Sequence, residues 1–159
     1  MKNEDRMVFV MSSEPLKFVV DAYDGYPACL RLTYPEKPTF FKFASCPTTA
    51  TMNLGDIDGD GHRLPIYTAY LNMGLPEYEI LAKRLQDEGV CEPYLKNGKE
   101  ITLHRGLHDY TLFKFSREKL LEMDFKGTRK YEDSFAKYRK LESMMAVEKQ
   151  KYYNDDFEF

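Results

Sequence analysis

Residues 76–115 read PEYEILAKRLQDEGVCEPYLKNGKEITLHRGLHDYTLFKF, and this stretch decides the fold class. Pro76 suits the first turn of a helix, glutamates follow in that turn, and Gly89 ends the pattern. Apolar residues recur between them at helical spacing and provide a core-facing side. The pattern predicts one internal helix over residues 76–88.

The second half of the same stretch predicts antiparallel strands. Asn97-Gly98 is a strong signal for a two-residue hairpin turn, here joining strands over residues 92–95 and 100–105. A further strand is predicted over residues 110–115. A helix followed by hairpin-connected strands indicates an α+β fold rather than alternating parallel units.

Upstream, the chain predicts an antiparallel meander. Its apolar, aromatic and β-branched runs are separated by turn signals rich in proline and glycine. The predicted strands are Met7–Ser12, Leu16–Tyr23, Ala28–Tyr34 and Thr39–Ala44.

Downstream, the chain predicts two helices. Ser116 is placed to cap a short helix over Arg117–Met123, and a long helix is predicted over Arg129–Tyr152. Its apolar stripe consists of Tyr131, Phe135, Tyr138, Leu141 and Met145. The predicted organisation is an α+β core domain over residues 1–126, a basic amphipathic C-terminal helix over residues 127–153, and an acidic aromatic tip over residues 154–159.

Composition limits the classes of function. The formal net charge of −3 argues against coating nucleic acid by charge alone but leaves room for a local basic face. The three cysteines lack the paired spacing of a zinc site or a disulfide framework, which favours a reducing, cytoplasmic location. The first residues do not resemble a signal peptide, and no apolar run has the length of a membrane span. We therefore expect no membrane partner.

The last residues form a short anionic segment with two aromatic anchors: Asp155, Asp156, Phe157, Glu158 and Phe159. This segment resembles the C-terminal tips of bacterial and phage single-stranded DNA-binding proteins, and the aromatic-acidic ends of phage replication proteins that dock on sliding clamps. The resemblance implies a protein partner, with the phenylalanines in an apolar pocket and the carboxylates on its basic rim. It also suggests a phage origin. The alternative is that both phenylalanines fold back onto the core.

Nucleic acid is a second candidate partner. Phe41 and Phe43 lie on a predicted strand with cations nearby, an arrangement that can stack bases of a single strand. The predicted phosphate contacts are on the C-terminal helix and comprise Lys130, Lys137, Arg139 and Lys140. The alternatives are that the aromatic residues form core and that the helix has an ordinary solvated face.

Asp56, Asp58 and Asp60 match the first half of a calcium-binding loop, in which alternate carboxylates converge on one hard cation. The second half departs from that pattern, because its twelfth position is Tyr67 rather than glutamate. The alternative is a plain Asp/Gly turn. Calcium is the only cofactor that this motif suggests.

Two further arrangements match part of the sequence. Residues 64–73 followed by the internal helix and the hairpin follow the order of a winged helix-turn-helix, although acidic residues on the second helix would repel phosphates. His62, His104 and His108 could join the aspartates in a metal or acid–base site, with surface histidines as the alternative.

The function favoured by these patterns is a non-catalytic, nucleic-acid-associated accessory protein that recruits a partner through its tip. The first alternative is a viral or cellular structural protein that assembles through protein–protein contacts. The second is a metal-dependent hydrolase.

Overall fold

The computed structural model describes residues 17–33 and 49–157 of this chain. Its elements in chain order are β1 (Val19–Tyr23), β2 (Tyr26–Thr33), β3 (Thr68–Asn72), α1 (Pro76–Asp87), β4 (Cys91–Pro93), β5 (Leu95–Lys96), β6 (Lys99–Glu100), β7 (Thr102–Arg105), β8 (His108–Phe115), α2 (Arg117–Met123) and α3 (Phe125–Phe157). The strands pair antiparallel, and an internal helix and a long C-terminal helix accompany them. The predicted α+β class is confirmed.

Strands β1 and β2 form a two-stranded ribbon, in which Val20 pairs with Leu32. Gly25 lies in the connecting turn at φ +80°, a conformation that glycine adopts without steric cost. These strands match two of the four strands predicted for the meander. The other two predicted strands, Met7–Ser12 and Thr39–Ala44, lie outside the described residues.

Strand β8 is the centre of the main sheet. One side of β8 pairs with β3, in the register Tyr70 opposite Leu112. The other side pairs with β4 near its end and with β7 near its start. The hairpin predicted over residues 92–95 and 100–105 is therefore shorter than expected. Only β5 and β6 pair across the Asn97-Gly98 turn, because the flanking strands β4 and β7 pair with β8 instead.

The helix-turn-helix hypothesis is wrong, because residues 68–72 form strand β3 and not a first helix. All five residues of β3 are buried. Leu71 faces the larger hydrophobic core, while Tyr70 faces a smaller core on the other side of the sheet. A strand covered on both faces has a nearly continuous apolar sequence, so it lacks the alternation that distinguishes a strand from a helix.

The larger core joins α1, the ribbon, the main sheet and the start of α3. Its fully buried large side chains include Phe18, Leu30, Leu32, Leu71, Leu81, Leu85, Phe113, Phe115, Leu120 and Tyr131. Each such aliphatic or phenylalanine side chain contributes about 1.5–3 kcal/mol by leaving water. Helix α1 presents its apolar face to this core, as its sequence predicts.

Helix α2 begins as predicted, with the Ser116 hydroxyl accepting a hydrogen bond from the backbone N–H of Lys119 at 3.3 Å. Helix α3 begins four residues before its predicted start. Asp124 caps it, since Oδ1 accepts the N–H of Gly127 at 3.0 Å. The other oxygen, Oδ2, accepts the N–H of Val20 at 3.0 Å and ties the edge of β1 to the helix start.

Gly127 permits this junction because it has no side chain. A Cβ atom at this position would overlap the carbonyl oxygen of Val20 and the carboxylate of Asp124. Thr128 reinforces the turn, because its hydroxyl donates to the Leu120 and Asp124 carbonyl oxygens at 3.0 and 2.7 Å. The first turn of α3 is thus held by its neighbours in space as well as by its own hydrogen bonds.

The apolar stripe predicted along α3 is core only in its first half. Tyr131 is buried and Phe135 packs against the core, but Leu141 is 56% exposed and Met145 is 60% exposed. The helix has 33 residues, about 50 Å at 1.5 Å per residue, and its exposed apolar residues Leu141 and Met145 lie in its second half. Among the described helices, including this one, none has an apolar stretch that could cross a membrane.

Candidate functional site

Helix α3 has two faces with different partners. The inner face packs on the ribbon and the core through Thr128, Tyr131 and Phe135. The hydroxyl of Tyr131 accepts a hydrogen bond from the backbone N–H of Tyr67 at 3.1 Å, where the chain has a positive φ of 66°. This contact fixes the rotation of the helix about its axis, and therefore decides which residues face outward.

The outward face carries a row of cations that we call the basic ridge: Lys126, Arg129, Lys130, Lys137 and Lys140. All five are exposed. At about 100° per residue they fall within roughly 100° of the helix circumference, on the side away from Tyr131. Asp133 is the one acidic residue of α3 within that arc. The neighbouring Glu132 lies outside the arc and pairs with Arg117 at 2.7 Å.

The cations of the basic ridge are largely free of carboxylate partners. Within the described part of the chain, no ion pair involves Lys126, Lys130, Lys137 or Lys140, and Arg129 reaches Glu132 only at 3.7 Å. Unpaired, exposed lysines concentrate positive potential that an anionic ligand can neutralise. Three of the four predicted phosphate contacts, Lys130, Lys137 and Lys140, lie together on this ridge.

The fourth predicted phosphate contact, Arg139, lies on the inner side of α3. Its guanidinium donates to the carbonyl oxygen of Leu64 at 2.6 Å and lies 3.6 Å from a Glu142 oxygen. It also lies 4.0 Å from the buried Asp56 and over the Phe135 ring at 5.0 Å. Arg139 therefore fastens the helix to the loop after β2, and a phosphate would have to compete with these contacts.

Phe125 lies at the start of the basic ridge, and no sequence pattern predicted a role for it. It is 64% exposed, an unusual state for a phenylalanine, and it precedes Arg129 by one helical turn. The only signal for it was an aromatic residue before the predicted helix start. The predicted aromatic contacts Phe41 and Phe43 lie outside the described residues.

The acidic loop, residues 56–62, is organised differently from the predicted calcium site. Asp56 turns into the protein, where it is 4% exposed and accepts from Arg63 at 2.7 Å. Asp58, Asp60 and His62 converge instead, with potential ligand atoms within 4.8 Å of one another. The loop supports this arrangement because Asp58 Oδ1 accepts the backbone N–H groups of Asp60 and His62, both at 2.9 Å.

Lys96 already brings a positive charge to this cluster. Its ammonium lies 3.2 Å from Asp58, 3.3 Å from Asp60 and 2.7 Å from Nδ1 of His62. Burial raises the pKa of Asp58, but the hydrogen bonds from the His62 backbone and from Lys96 outweigh it, so the pKa is lowered overall. A divalent ion at these three residues would displace the ammonium.

Lys96 reaches the loop because it ends the first arm of the β5–β6 hairpin, whose tip borders an open pocket of about 400 Å³. The spacing of Asp58 and His62 gave a partial signal for the cluster. Nothing in the sequence signals the approach of Lys96, since it depends on the packing of a hairpin 38 residues away from Asp58.

The other two histidines lie apart from this loop. His104 and Asp109 are cross-strand partners on β7 and β8, and their side chains meet at 2.6 Å on an exposed surface. His108 stacks edge-on against Tyr110, with ring centroids 6.4 Å apart. The described residues thus place no histidine other than His62 with the aspartates.

The tip residues Asp155, Asp156 and Phe157 form the last turn of α3. Glu158 and Phe159 lie outside the described residues. The docking role expected for these five residues stays a prediction.

Comparisons with protein-family models, with curated proteins and with solved structures found no match to this chain.

Proposed function

We propose that this chain is a non-catalytic, nucleic-acid-associated accessory protein that contacts phosphates through the basic ridge of α3. The single observation that carries the proposal is the outward position of five cations with one acid among them. The chain as a whole is acidic, with a net charge of −3, so a basic row whose four lysines have no described ion pair is a local departure from its average. Such a row favours anion binding at one place rather than over the whole surface.

The dimensions of the ridge suit a nucleic-acid strand. Lys126 and Lys140 are 14 residues apart, which is about 21 Å along the helix axis. A strand of duplex DNA advances about 3.4 Å per phosphate, so this length spans about six phosphates. Lysines are flexible point charges, and they suit contacts to the backbone of any sequence rather than to particular bases.

Phe125 favours a single strand over a duplex. Single-stranded nucleic acid exposes the faces of its bases, and an exposed aromatic ring beside cations can stack on them. Phe125 lies beside Arg129 at the first turn of the ridge. A base stacked on this ring would leave its phosphates near Arg129 and Lys130.

The tip completes the proposal as a partner-docking segment. Among the side chains that the structure describes, the last ion pair of α3 with the body joins Glu142 and Arg63 at 3.3 Å. Beyond it, the helical backbone continues from residue 143 to residue 157, about 22 Å at 1.5 Å per residue. The proposed tip, with Phe157 and Phe159 as its anchors, follows this stretch in the sequence and would dock on a protein partner.

The test of the ridge is fluorescence anisotropy of labelled single- and double-stranded DNA as a function of salt. Five neutralised phosphates on a single strand give a slope of log K against log salt of about −3.5. Replacing Lys130, Lys137 and Lys140 with glutamine should make the slope shallower, at about −1.4, since two cations remain. Phe125→Ala should weaken single-strand binding without changing the slope.

The matched control replaces three exposed lysines away from α3, Lys17, Lys83 and Lys114, with glutamine. It changes the net charge equally and should leave both affinity and slope nearly unchanged. An equal loss of affinity in the two triple variants would mean that binding depends on net charge. It would refute the proposal that the basic ridge contacts phosphates.

The tip has a separate test. Deleting residues 154–159 should abolish capture of a host replication protein while the melting temperature stays nearly constant. A large drop in melting temperature would instead mean that the phenylalanines belong to the core.

A further inference from the structure

A carboxylate beside the basic ridge is shared by two arginines. The guanidinium of Arg117, at the start of α2, donates to Glu132 through Nε at 2.7 Å and through Nη2 at 3.4 Å. Arg129 approaches the same carboxylate at 3.7 Å from the preceding turn of α3. The hydroxyl of Tyr67 also donates to it. One carboxylate therefore has three donor side chains around it, which we call the donor cluster: Tyr67, Arg117 and Arg129.

The backbone holds Tyr67 in a conformation that a tyrosine rarely adopts. Its φ is 66°, in the left-handed region that favours glycine. Its N–H donates to the Tyr131 hydroxyl at 3.1 Å, and its C=O accepts the N–H of Phe115 at 2.7 Å. Strained residues of this kind cluster at binding and active sites, where the surrounding structure fixes them in place. The core of the protein thus sets the direction in which the Tyr67 hydroxyl meets Glu132.

The ionisation states of the cluster suit an anion at the position of the Glu132 carboxylate. Hydrogen bonds from Arg117 hold the pKa of Glu132 below its usual range, so this group is ionised at neutral pH. Burial and the hydrogen bond to Glu132 raise the pKa of Tyr67 to about 12, so its hydroxyl remains a donor. Two guanidinium groups and one carboxylate leave a net charge of +1. The cluster therefore still attracts an anion while Glu132 is in place.

The donor cluster lies next to the exposed ring of Phe125. On α3, Phe125, Arg129 and Glu132 follow a spacing of four and then three residues, which places all three on one strip of the helix. Phe125 precedes Arg129 by about 6 Å along the helix axis. The side chains of Arg117 and Arg129 are 48% and 55% exposed, whereas Glu132 is 19% exposed. A ligand can thus reach both arginines from solvent.

The chemistry of the donor cluster matches a phosphate monoester. Arginine recognises carboxylate and phosphate with the same planar fork of N–H donors. A monoester carries a charge of about −1.5 to −2 at pH 7 and three acceptor oxygens, enough for two guanidinium groups and a phenol. A phosphate within a strand carries a single charge and has fewer free oxygens. Such a monoester occurs at a phosphorylated end of a nucleic-acid strand.

We propose that the donor cluster binds the terminal phosphate of a single-stranded nucleic acid whose end base stacks on Phe125. In the free protein Glu132 occupies the position of this phosphate, and it leaves when the strand binds. Because an incoming anion must displace Glu132, a phosphate with two charges has an advantage over one with a single charge. The choice of a strand as the ligand rests on the proposed function, since free phosphate has the same chemistry.

The test compares three forms of one single-stranded DNA by fluorescence anisotropy at low salt, with the label inside the strand. The forms carry a 5′-phosphate, a 3′-phosphate or only hydroxyl ends. We expect one phosphorylated form to bind about tenfold tighter than the hydroxyl form, because charge-assisted hydrogen bonds are added. Arg117→Gln should remove this preference. Arg117→Lys keeps the charge but not the planar fork, and should retain only part of it.

Glu132→Gln separates a competing carboxylate from one that only fastens α3 to α2. It removes the charge at nearly constant size, and should raise the preference for the phosphorylated strand about threefold. The matched control is Asp133→Asn, the same change at the adjacent, exposed position. It should strengthen the binding of all three strands equally. A Glu132→Gln protein that is less stable in thermal melts but has an unchanged preference would overturn the proposal.

The outcomes for this site and for the basic ridge can be told apart. Replacing Lys130, Lys137 and Lys140 with glutamine should weaken the binding of all three strands and leave the preference intact. Equal affinities of the three strands would overturn the strand-end site and leave the ridge standing. If inorganic phosphate also raised the melting temperature in that case, free phosphate would be the ligand of the cluster. No binding of any strand at low salt would refute both proposals.

Discussion

Replacing Gly127 with alanine should destabilise this protein, although alanine is the better helix former. Gly127 lies in the first turn of α3, where its N–H donates to Asp124. The added methyl group would overlap the carbonyl oxygen of Val20 and the Asp124 carboxylate. Neither is the free end of a flexible side chain, because the first is backbone and the second is held by two hydrogen bonds.

The expected magnitude follows from what must move. Alanine gains about 1 kcal/mol in helix propensity. If β1 and the helix separate to admit the methyl group, the hydrogen bond from Val20 to the Asp124 carboxylate is lost at a cost of about 1.5–3 kcal/mol. Disruption of the Asp124 cap costs about 1 kcal/mol more. The net loss in the free energy of unfolding is therefore about 1.5–3 kcal/mol, or about 3–12 °C in melting temperature for a chain of this size.

Urea denaturation followed by circular dichroism measures this loss directly. Ser143→Ala, at an exposed position of the same helix, is the control for helix propensity and should be neutral or slightly stabilising. Gly127→Ala and Asp124→Ala should also be strongly non-additive, since both break the same contacts. A Gly127→Ala protein as stable as the wild type would refute this account of the junction.

The remaining predictions concern the acidic loop and the buried thiols. Lys96→Ala should let Zn²⁺ or Mn²⁺ raise the melting temperature, because Asp58, Asp60 and His62 lose their ammonium partner; an equal metal response in the wild type would contradict this. Burial raises the pKa of both Cys29 and Cys91 to about 12, so neither should react with a thiol reagent at pH 8 until the protein unfolds. Because these thiols ionise near pH 9 in the unfolded chain, the free energy of unfolding should fall as the pH rises from 9 toward 12. A urea denaturation midpoint that stays constant over that range would contradict this expectation.

The sequence predicted those features that depend on local chemistry. The bounds of α1 follow from Pro76 and Gly89, and the cap of α2 follows from Ser116. The Asn97-Gly98 turn also forms as expected, with both residues at positive φ. In each case the residues that set the local structure lie within a few positions of one another. The local sequence pattern is therefore enough to predict the structure.

The features that were missed depend on distant residues. The start of α3 is set by Asp124, whose second partner is Val20, 104 residues away. The extent of the apolar stripe depends on where the body ends, so Leu141 could not be told from a core residue by its spacing. At the candidate sites, the outward position of Lys130 and the inward position of Arg139 are both consequences of the Tyr131 contact, which no helical pattern specifies.

The hydrogen bond from the Val20 N–H to the Asp124 carboxylate also has a consequence for synthesis on the ribosome. Elongation proceeds at about 5–20 residues per second, so the 104 residues between these partners take roughly 5–20 s to appear. During that interval the β1–β2 ribbon has neither α3 nor the main sheet to cover it, because β8 also emerges late. Leu30 and Leu32, both buried in the finished fold, would then be exposed on the nascent chain. Among the described segments, the β1–β2 ribbon therefore exposes buried leucines for a long part of translation, and a chaperone that binds apolar chain would protect it.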